Sequence, residues 1–225
     1  FTASPPESNE ADIQKEIIGY VESSLQKLNV KKLDCLMLHR AADMTIHGKT
    51  VRNTLEKLIK ENYINLAGVS VYNPEDINIM LEDDIYQSVQ LPINIFDQRL
   101  IKTDMLKKLG SKNITVFARS IFFQGLFYID PERVTDKDML IYIKPYVKRL
   151  NDISAKYGIS IGQLAVTYIR DLEGITSLVL GVDTKEQLEQ NIQLMKGPKL
   201  SDETIFEIQE QFGDANVQKI MQILS

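Results

Sequence analysis

The fold of this chain is decided by residues 33–40, LDCLMLHR, an apolar run that ends abruptly on His39 and Arg40. A strand of this kind, buried on both faces, is typical of a parallel sheet covered by helices. In such sheets the chemistry collects at the carboxyl ends of the strands, where His39 is expected to lie. Imidazole can donate or accept a hydrogen bond near neutral pH. The segment by itself leaves two interpretations open: a catalytic histidine, or one that closes the strand and bonds a neighbouring carbonyl.

The composition is that of an ordinary globular domain. Of the 225 residues, 44% are hydrophobic and 25% are charged, which suffices for a sizeable core. The net charge of −5 argues against a general nucleic-acid binder. The single cysteine, Cys35, can form no internal disulfide and is predicted to be an inert core thiol. No apolar run approaches the roughly 18 residues that a membrane helix needs, and nothing at the start is typical of a signal peptide. We therefore expect a cytoplasmic protein with no membrane or nucleic-acid partner.

Strands alternate with helices along the chain. Apolar residues at three- and four-residue spacing, from Ile13 to Leu28, predict an opening helix, and similar patterns separate the later apolar runs. This alternation is typical of right-handed βαβ units and a parallel sheet. The segment 119–140 has few regular signals and many aromatic side chains. The predicted strands are residues 34–39, 64–70, 86–91, 114–118 and 176–180.

The number of strands constrains the architecture. An eight-stranded α/β barrel usually takes about 250 residues, and five strands cannot close one. The sequence also begins with a helix that no strand precedes. We therefore expect an α/β fold that is a (β/α)8 TIM barrel, with strands 4–8 present and the first three strands absent from this chain. An open doubly wound sheet is the competing architecture. No linker divides the sequence, so residues 1–225 are predicted to form a single, partial barrel domain.

Polar residues follow or close several of the predicted strands. Ser70 and Gln90 could each bind a ligand or be satisfied by neighbouring core groups. Arg119 and Ser120 directly follow a strand. The guanidinium could stack on a flat ring, grip a phosphate, or pair with a carboxylate such as Asp97.

The last predicted strand runs into a loop and a helix start of a kind that attracts anions. Free N–H groups and the helix dipole favour phosphate there, as do the loops after the final strands of α/β barrels. Lys185 would add positive charge. The alternative is an ordinary capped helix, with Thr184 as the cap and Lys185 solvated. The sequence lacks a metal-ligand pattern, a Gly-x-Ser-x-Gly elbow, a phosphate loop and the glycine-rich dinucleotide fingerprint.

Several segments resemble the aldo/keto reductase family, in the family's order and over nearly the whole chain. Residues 23–40 look like the family's "SL..L....vDl.llHr" segment, and residues 67–70 look like its "iGvS" strand. The other matching segments are residues 90–94 ("Q.p.n") continued by 96–99, residues 116–120 with 124–126 (the seventh strand and its loop), and residues 180–184 with 186–191 (the final cofactor loop).

The resemblance implies a barrel enzyme that reduces an aldehyde or ketone, with sugar-derived carbonyls as one class, using a nicotinamide cofactor that is usually NADPH. Of the family's catalytic Asp, Tyr, Lys and His, only the histidine carries over, onto His39, where it would hydrogen-bond the carbonyl oxygen. The other three lie upstream in family members, and residues 1–4 resemble those just after the lysine. The tyrosine is the proton donor, so we expect the 225-residue span by itself to show no reductase activity.

The resemblance also assigns cofactor-binding residues. Ser70 and Gln90 match positions that bind the nicotinamide carboxamide, and Arg119 replaces an aromatic residue that stacks on the nicotinamide. The remaining assignments are Ser120, Gln124 and Gly125 along the diphosphate, and Gly181, Thr184, Lys185, Gln187 and Asn191 at the adenosine phosphate end.

The sequence departs from the family in ways that bear on the cofactor. Val71 replaces an asparagine that contacts the carboxamide. Gln187 stands where several members have an arginine against the 2′-phosphate, which weakens the case for NADPH over NADH, with Lys185 as a substitute. The aromatic residues between 122 and 128 could form a lid over the ligand or pack beneath the loop.

Two other functions stay open. A catalytically inactive nucleotide-binding barrel, with a regulatory or binding role, would keep the cofactor pocket without turnover. An unrelated phosphate-binding lyase or isomerase would show a Schiff-base lysine or metal dependence. The leading hypothesis takes a small-molecule carbonyl substrate as the partner.

Overall fold

The computed structural model describes residues 8–224, so the resemblance of residues 1–4 lies outside the described part. Its α/β class and parallel strand pairing agree with the expectation from sequence. The strand order in the sheet follows the chain, β1-β2-β3-β4-β5. The strands are β1 (Leu33–Leu38), β2 (Ile64–Ser70), β3 (Tyr86–Pro92), β4 (Thr115–Arg119) and β5 (Ser177–Leu178).

Helices fill most of the sequence between the strands and after the last one. Two short 3-10 helices, Phe123–Tyr128 and Pro131–Arg133, follow β4. The α-helices are α1 (Glu10–Leu28), α2 (Asp43–Ile46), α3 (Gly48–Lys60), α4 (Pro74–Met80), α5 (Arg99–Lys102), α6 (Met105–Ser111), α7 (Lys137–Tyr142), α8 (Lys144–Tyr157), α9 (Ile161–Arg170), α10 (Lys185–Lys196), α11 (Asp202–Phe212) and α12 (Val217–Leu224).

The described residues form two compact units. The first holds the residues up to Leu91 together with Leu109–Phe117, and the second holds Pro92–Lys108 and the residues from Ala118 onward. The single-domain organisation expected from the sequence stays a prediction.

In the first unit, α1 packs against α3 through an apolar stripe. The side chain of Asn9 caps α1 by accepting a hydrogen bond from the Asp12 N–H at 2.9 Å. Ile13 and Ile17 are each only 1% exposed, so the three- and four-residue spacing seen in the sequence is the buried face. Asn29 ends the helix in the left-handed conformation.

At Gly68, β2 and β3 approach each other too closely for a side chain to fit between them. A Cβ atom added to Gly68 would lie 2.1 Å from the Ser88 Oγ and 2.6 Å from the Ser88 carbonyl oxygen. Ser88 is fully buried, and its hydroxyl donates to the Ala67 carbonyl at 3.2 Å and lies 2.9 Å from the Cys35 Sγ. Burial raises the pKa of the Cys35 thiol, which agrees with an inert thiol rather than a nucleophile. Any side chain larger than that of glycine at position 68 would overlap Ser88.

The second unit is built around a cluster of aromatic rings. Phe96 lies with its centroid 4.7 Å from Phe127, 4.9 Å from Phe212 and 6.3 Å from Phe123. All four side chains are buried. Two of the aromatic residues that follow β4 thus pack beneath the loop, which decides between the alternatives that the sequence left open for them. Phe122 and Tyr128, whose rings are 5.7 Å apart, are not part of this core.

Several predicted boundaries need correction. The first strand ends at Leu38, one residue before the histidine, and the last covers only Ser177–Leu178 instead of 176–180. Beyond it the Val179 N–H still donates to the Ala118 carbonyl at 2.7 Å. The segment 119–140 is more regular than expected because Asp130 and Asp136 cap helices within it, accepting from backbone N–H groups at 3.0 and 2.9 Å.

Replacing Gly68 with alanine is expected to lower the free energy of unfolding by about 1–3 kcal/mol, because the new methyl group meets the buried Ser88. Gly19→Ala is the matched control. Gly19 lies exposed within α1 with nothing within 4 Å of an added Cβ, so alanine there should stabilise by about 0.5–1 kcal/mol. Urea unfolding followed by circular dichroism measures both. Equal, small changes at the two positions would contradict the close approach.

Candidate functional site

The first unit brings three predicted site residues to one edge. In the parallel register Leu38 pairs with Val69, so His39 follows at the level of Ser70, and Ser70 itself pairs with Gln90. The Val71 N–H donates to the Gln90 carbonyl at 2.9 Å, which extends the ladder past the end of β2. His39 is exposed, Gln90 is half-buried and Ser70 is buried. An imidazole, a hydroxyl and an amide therefore share the carboxyl edge of β1, β2 and β3.

The helix that follows β1 contains a buried carboxylate, that of Asp43, which was not among the predicted site residues. Asp43, in the short helix α2 after His39, is 0% exposed and accepts a hydrogen bond from the Arg40 guanidinium at 3.0 Å. The pairing fixes the loop that follows β1. A carboxylate three residues after an arginine was the available signal.

In the second unit, the loop after β4 holds a run of strained backbone. Ser120, Phe123 and Gln124 have φ values of 62°, 46° and 56°, and Gly125 has a φ of 83°. A non-glycine residue in this region costs roughly 1–3 kcal/mol, and such residues cluster at ligand sites. The Phe123 N–H donates to the Ser120 carbonyl at 2.9 Å and the Gly125 N–H to the Phe122 carbonyl at 3.0 Å. Gln124 and Gly125 are exposed at the tip.

Asn94 holds this loop in place. Its side-chain oxygen accepts hydrogen bonds from the Phe96 and Asp97 N–H groups at 2.9 and 3.0 Å, and its amide nitrogen donates to the Ser120 carbonyl at 3.2 Å. Asn94 is 1% exposed. The sequence motif around residues 90–94 contained it without revealing this role, because the contact with Ser120 is distant along the chain.

Arg119 is half-buried, and its guanidinium donates to the Ser120 hydroxyl at 3.3 Å. The carboxylate considered as its partner, Asp97, instead accepts two hydrogen bonds from Arg99, each at 2.8 Å. The carboxylate of Asp97 is thus bound by another arginine, and its pairing with Arg119 stays a prediction. A two-residue separation allows Arg99 to wrap back onto Asp97.

The loop after β5 is joined to the first turns of α10 by side chains. Thr184 caps the helix, its hydroxyl accepting from the Gln187 N–H at 3.2 Å. The Gln187 amide oxygen accepts from the Asp183 N–H at 2.6 Å, and the Asn191 amide donates to the Gly181 carbonyl at 3.4 Å. Lys185 is 82% exposed and lies 3.5 Å from Glu189. This is the capped helix that the sequence offered as an alternative, and it leaves an ordered loop that can also bind a ligand.

These two loops face one pocket of about 680 Å3, here called the β4–β5 pocket. Six of the predicted cofactor residues line it, whereas Arg119, Thr184 and Lys185 do not. Asp183 and Gln190, which the sequence reasoning did not select, also line it. Partial burial raises the pKa of another lining residue, Tyr128, above its ordinary value. The lining residues are Ser120, Ile121, Phe122, Gln124, Gly125, Tyr128, Val179, Leu180, Gly181, Val182, Asp183, Gln187, Gln190, Asn191 and Leu194.

A second cavity in the same unit, of about 480 Å3, is largely apolar. Its lining includes Ile175, Leu178, Ile192 and Met195. The guanidinium of Arg170 at its rim is already bound to the carbonyls of residues 195 and 197, each at 2.8 Å. The β4–β5 pocket, with its several neutral hydrogen-bonding side chains, is therefore the better candidate for a polar ligand.

Within residues 8–224, no group of three or more His, Cys, Asp or Glu side chains is placed to hold a metal ion. Among the same residues, no helix is both long and apolar enough to cross a membrane.

The model of the aldo/keto reductase family matches residues 4–211. A match over that much of the sequence means that the chain belongs to the aldo/keto reductase family, and the resemblance read from its motifs is confirmed.

Individual relatives are distant. The chain is 22% identical over 228 residues to L-glyceraldehyde 3-phosphate reductase from Escherichia coli O157:H7, and 20% identical over 233 residues to the protein of that name from strain K12. Each alignment covers 91% of this chain and 65% of the relative. The chain thus spans a little under two thirds of the length of these curated relatives.

Solved structures support the fold. The holo form of aldo-keto reductase AKR11C1 from Bacillus halodurans matches with a TM-score of 0.75 and 22% identity, covering 92% of this chain and 68% of that one. Glycerol dehydrogenase AKR11B4 from Gluconobacter oxydans matches with a TM-score of 0.73 and 22% identity, covering 90% and 65%. At this identity the likeness establishes the fold alone.

Asn94→Asp is expected to lower the free energy of unfolding by about 1–3 kcal/mol, because a carboxylate keeps the two accepted hydrogen bonds but faces the Ser120 carbonyl without a proton to donate. Amide hydrogen exchange in residues 120–125 should become faster. Asn113→Asp is the control: Asn113 is exposed with a φ of 56°, which aspartate also tolerates, so its effect should stay within about 0.5 kcal/mol. Unchanged exchange in the loop of Asn94→Asp would refute the positioning role.

Proposed function

We propose that the protein reduces an aldehyde or ketone by hydride transfer from a nicotinamide cofactor, and that the β4–β5 pocket binds this cofactor. The observation that carries the proposal is the pocket itself. The two loops whose sequences resemble the cofactor loops of the family line a single pocket of about 680 Å3. Family membership supports the reaction class.

The chemistry of the lining suits the phosphate and ribose groups of a dinucleotide. Ser120 offers a hydroxyl, and Gln124 and Asn191 offer amides. Amide and hydroxyl donors bind phosphate oxygens and ribose hydroxyls without needing a charge. The strained backbone at residues 120–125 turns the exposed tip toward solvent and leaves open space around Gly125, so a ligand can approach the chain closely.

A bound cofactor of this kind supplies the hydride, and the protein orients and polarises the carbonyl. In the proposal, the exposed His39 donates a hydrogen bond to the substrate oxygen, which stabilises the negative charge that develops there. Ser70 and Gln90, paired at the same edge, hold the carboxamide of the cofactor. Arg119 would stack on the nicotinamide ring, since a planar guanidinium can stack on an aromatic face.

The names of two relatives support a substrate class. One is named for reduction of L-glyceraldehyde 3-phosphate and another for dehydrogenation of glycerol. We propose a small polyhydroxylated, sugar-derived carbonyl as the substrate class. We further propose that β1 to β5 correspond to strands 4–8 of a (β/α)8 barrel, which the extended match to solved aldo-keto reductase structures supports.

His39→Gln in the full-length protein is expected to lower kcat/KM for DL-glyceraldehyde by about 10²–10³-fold, because one hydrogen bond to the developing oxyanion is lost or misplaced. The dissociation constant of the cofactor should not change. Oxidation of the reduced cofactor, followed at 340 nm, gives the rate, and calorimetry gives the affinity.

His47→Gln serves as the control, since His47 lies between α2 and α3 rather than directly after a strand and should retain activity. If the two variants behave alike, or if the protein binds no nicotinamide nucleotide, the proposed function is wrong.

A further inference from the structure

The charge in the β4–β5 pocket is unbalanced. Its lining residues, all of them described, include one ionisable carboxylate, that of Asp183, and neither lysine nor arginine. The other side chains that can bond a ligand are neutral, such as Gln187 and Gln190. An anion in this pocket therefore has no cation in the lining to pair with, and the one charged lining residue, Asp183, is negative.

Of the cations in this unit, Arg119 donates to the Ser120 hydroxyl at 3.3 Å, beside the loop after β4. Two others, Lys185 and Arg170, lie against carboxylates. Lys185, beside Asp183 in sequence, does not line the pocket, and its ammonium lies 3.5 Å from the Glu189 carboxylate. Arg170 of the same unit is bidentate to Asp171, at 2.7 Å for each bond. Around the start of α10 the acidic residues Asp183, Glu186 and Glu189 outnumber Lys185.

Gln187 adds a neutral donor at the same place. Its amide oxygen is occupied by the Asp183 N–H at 2.6 Å, which leaves its amide nitrogen as the group offered to a ligand. A carboxylate that accepts and an amide that donates are together complementary to a hydroxyl, which does both. A phosphate only accepts at these positions, so it would bond the amide but be repelled by Asp183.

NADH and NADPH differ only in the group at the 2′ position of the adenosine ribose, a hydroxyl in NADH and a phosphate in NADPH. Both carry the diphosphate, so its interactions cancel in a comparison, whereas the 2′-phosphate of NADPH adds a charge of about −1.5 to −2 at neutral pH. We infer that the β4–β5 pocket selects the cofactor with a free 2′-hydroxyl, NADH, over NADPH, and that Asp183 is the residue that sets this preference. The inference rests on the proposed function, because it assumes that a nicotinamide cofactor occupies this pocket. It opposes the expectation of NADPH drawn from the resemblance.

The test is calorimetric titration of the full-length protein with NADH and with NADPH at low ionic strength. NADH should bind about tenfold more tightly or better, because like charges brought together oppose the binding of NADPH. Asp183→Asn should reduce the ratio of the two dissociation constants by most of that factor through tighter NADPH binding. Gln187→Arg should invert the preference, because a guanidinium supplies the missing cation.

Glu186→Gln is the matched control. It also removes one negative charge, but Glu186 lies three residues after Asp183 in the sequence and does not line the pocket. It should change the ratio less than Asp183→Asn does. Thermal unfolding of each variant verifies that the fold is retained.

The outcomes separate the two proposals. Tighter binding of NADPH by the unaltered protein overturns the preference and leaves the proposed function standing. Binding of neither nucleotide overturns the proposed function itself. A preference for NADH that Asp183→Asn does not weaken removes Asp183 from its role.

Discussion

The parallel register of β1, β2 and β3 is the constraint on which the candidate catalytic edge depends. With Leu38 opposite Val69 and Ser70 opposite Gln90, the residues His39, Ser70 and Gln90 lie at one level near the carboxyl ends of the three strands. A shift of one residue would turn every side chain to the other face of its strand. The register is fixed by apolar side chains on buried strands and by the contact of Gly68 with Ser88, which no larger residue could make. The edge is thus a consequence of packing in the first unit.

In the second unit, hydrogen bonds from side chains fix the two loops that line the β4–β5 pocket. Asn94 ties the strained segment 120–125 from one side, and Gln187 and Asn191 tie the loop after β5 to α10. Strain of this size persists only where surrounding contacts fix the backbone. The buried rings of Phe123 and Phe127 supply that anchoring below, while Gln124 and Gly125 stay exposed above. The pocket is therefore preorganised, which lowers the entropic cost of binding a long, flexible ligand.

Much of this could be predicted from the sequence. The alternation of apolar runs with helical spacing gave five strands in the right places, and the strand 64–70 has the predicted bounds. Six of the proposed cofactor residues line one pocket, because they belong to the loops that follow the neighbouring strands β4 and β5. The role of Asn94 could not be predicted, since its bond to the Ser120 carbonyl joins residues 26 positions apart. The charge of the pocket lining could not be predicted from the sequence either. Lys185 and Asp183 are near neighbours in the sequence, yet only Asp183 lines the pocket.

The central claim is that a dinucleotide binds between the loops that follow β4 and β5. Amide hydrogen exchange of the protein, with and without a saturating concentration of NADH, tests it most directly. Bound NADH should slow amide exchange in residues 120–125 and 181–187 and leave exchange in α1 unchanged. Slower exchange confined to residues 170–178, beside the apolar cavity, or no change in either loop, would contradict it.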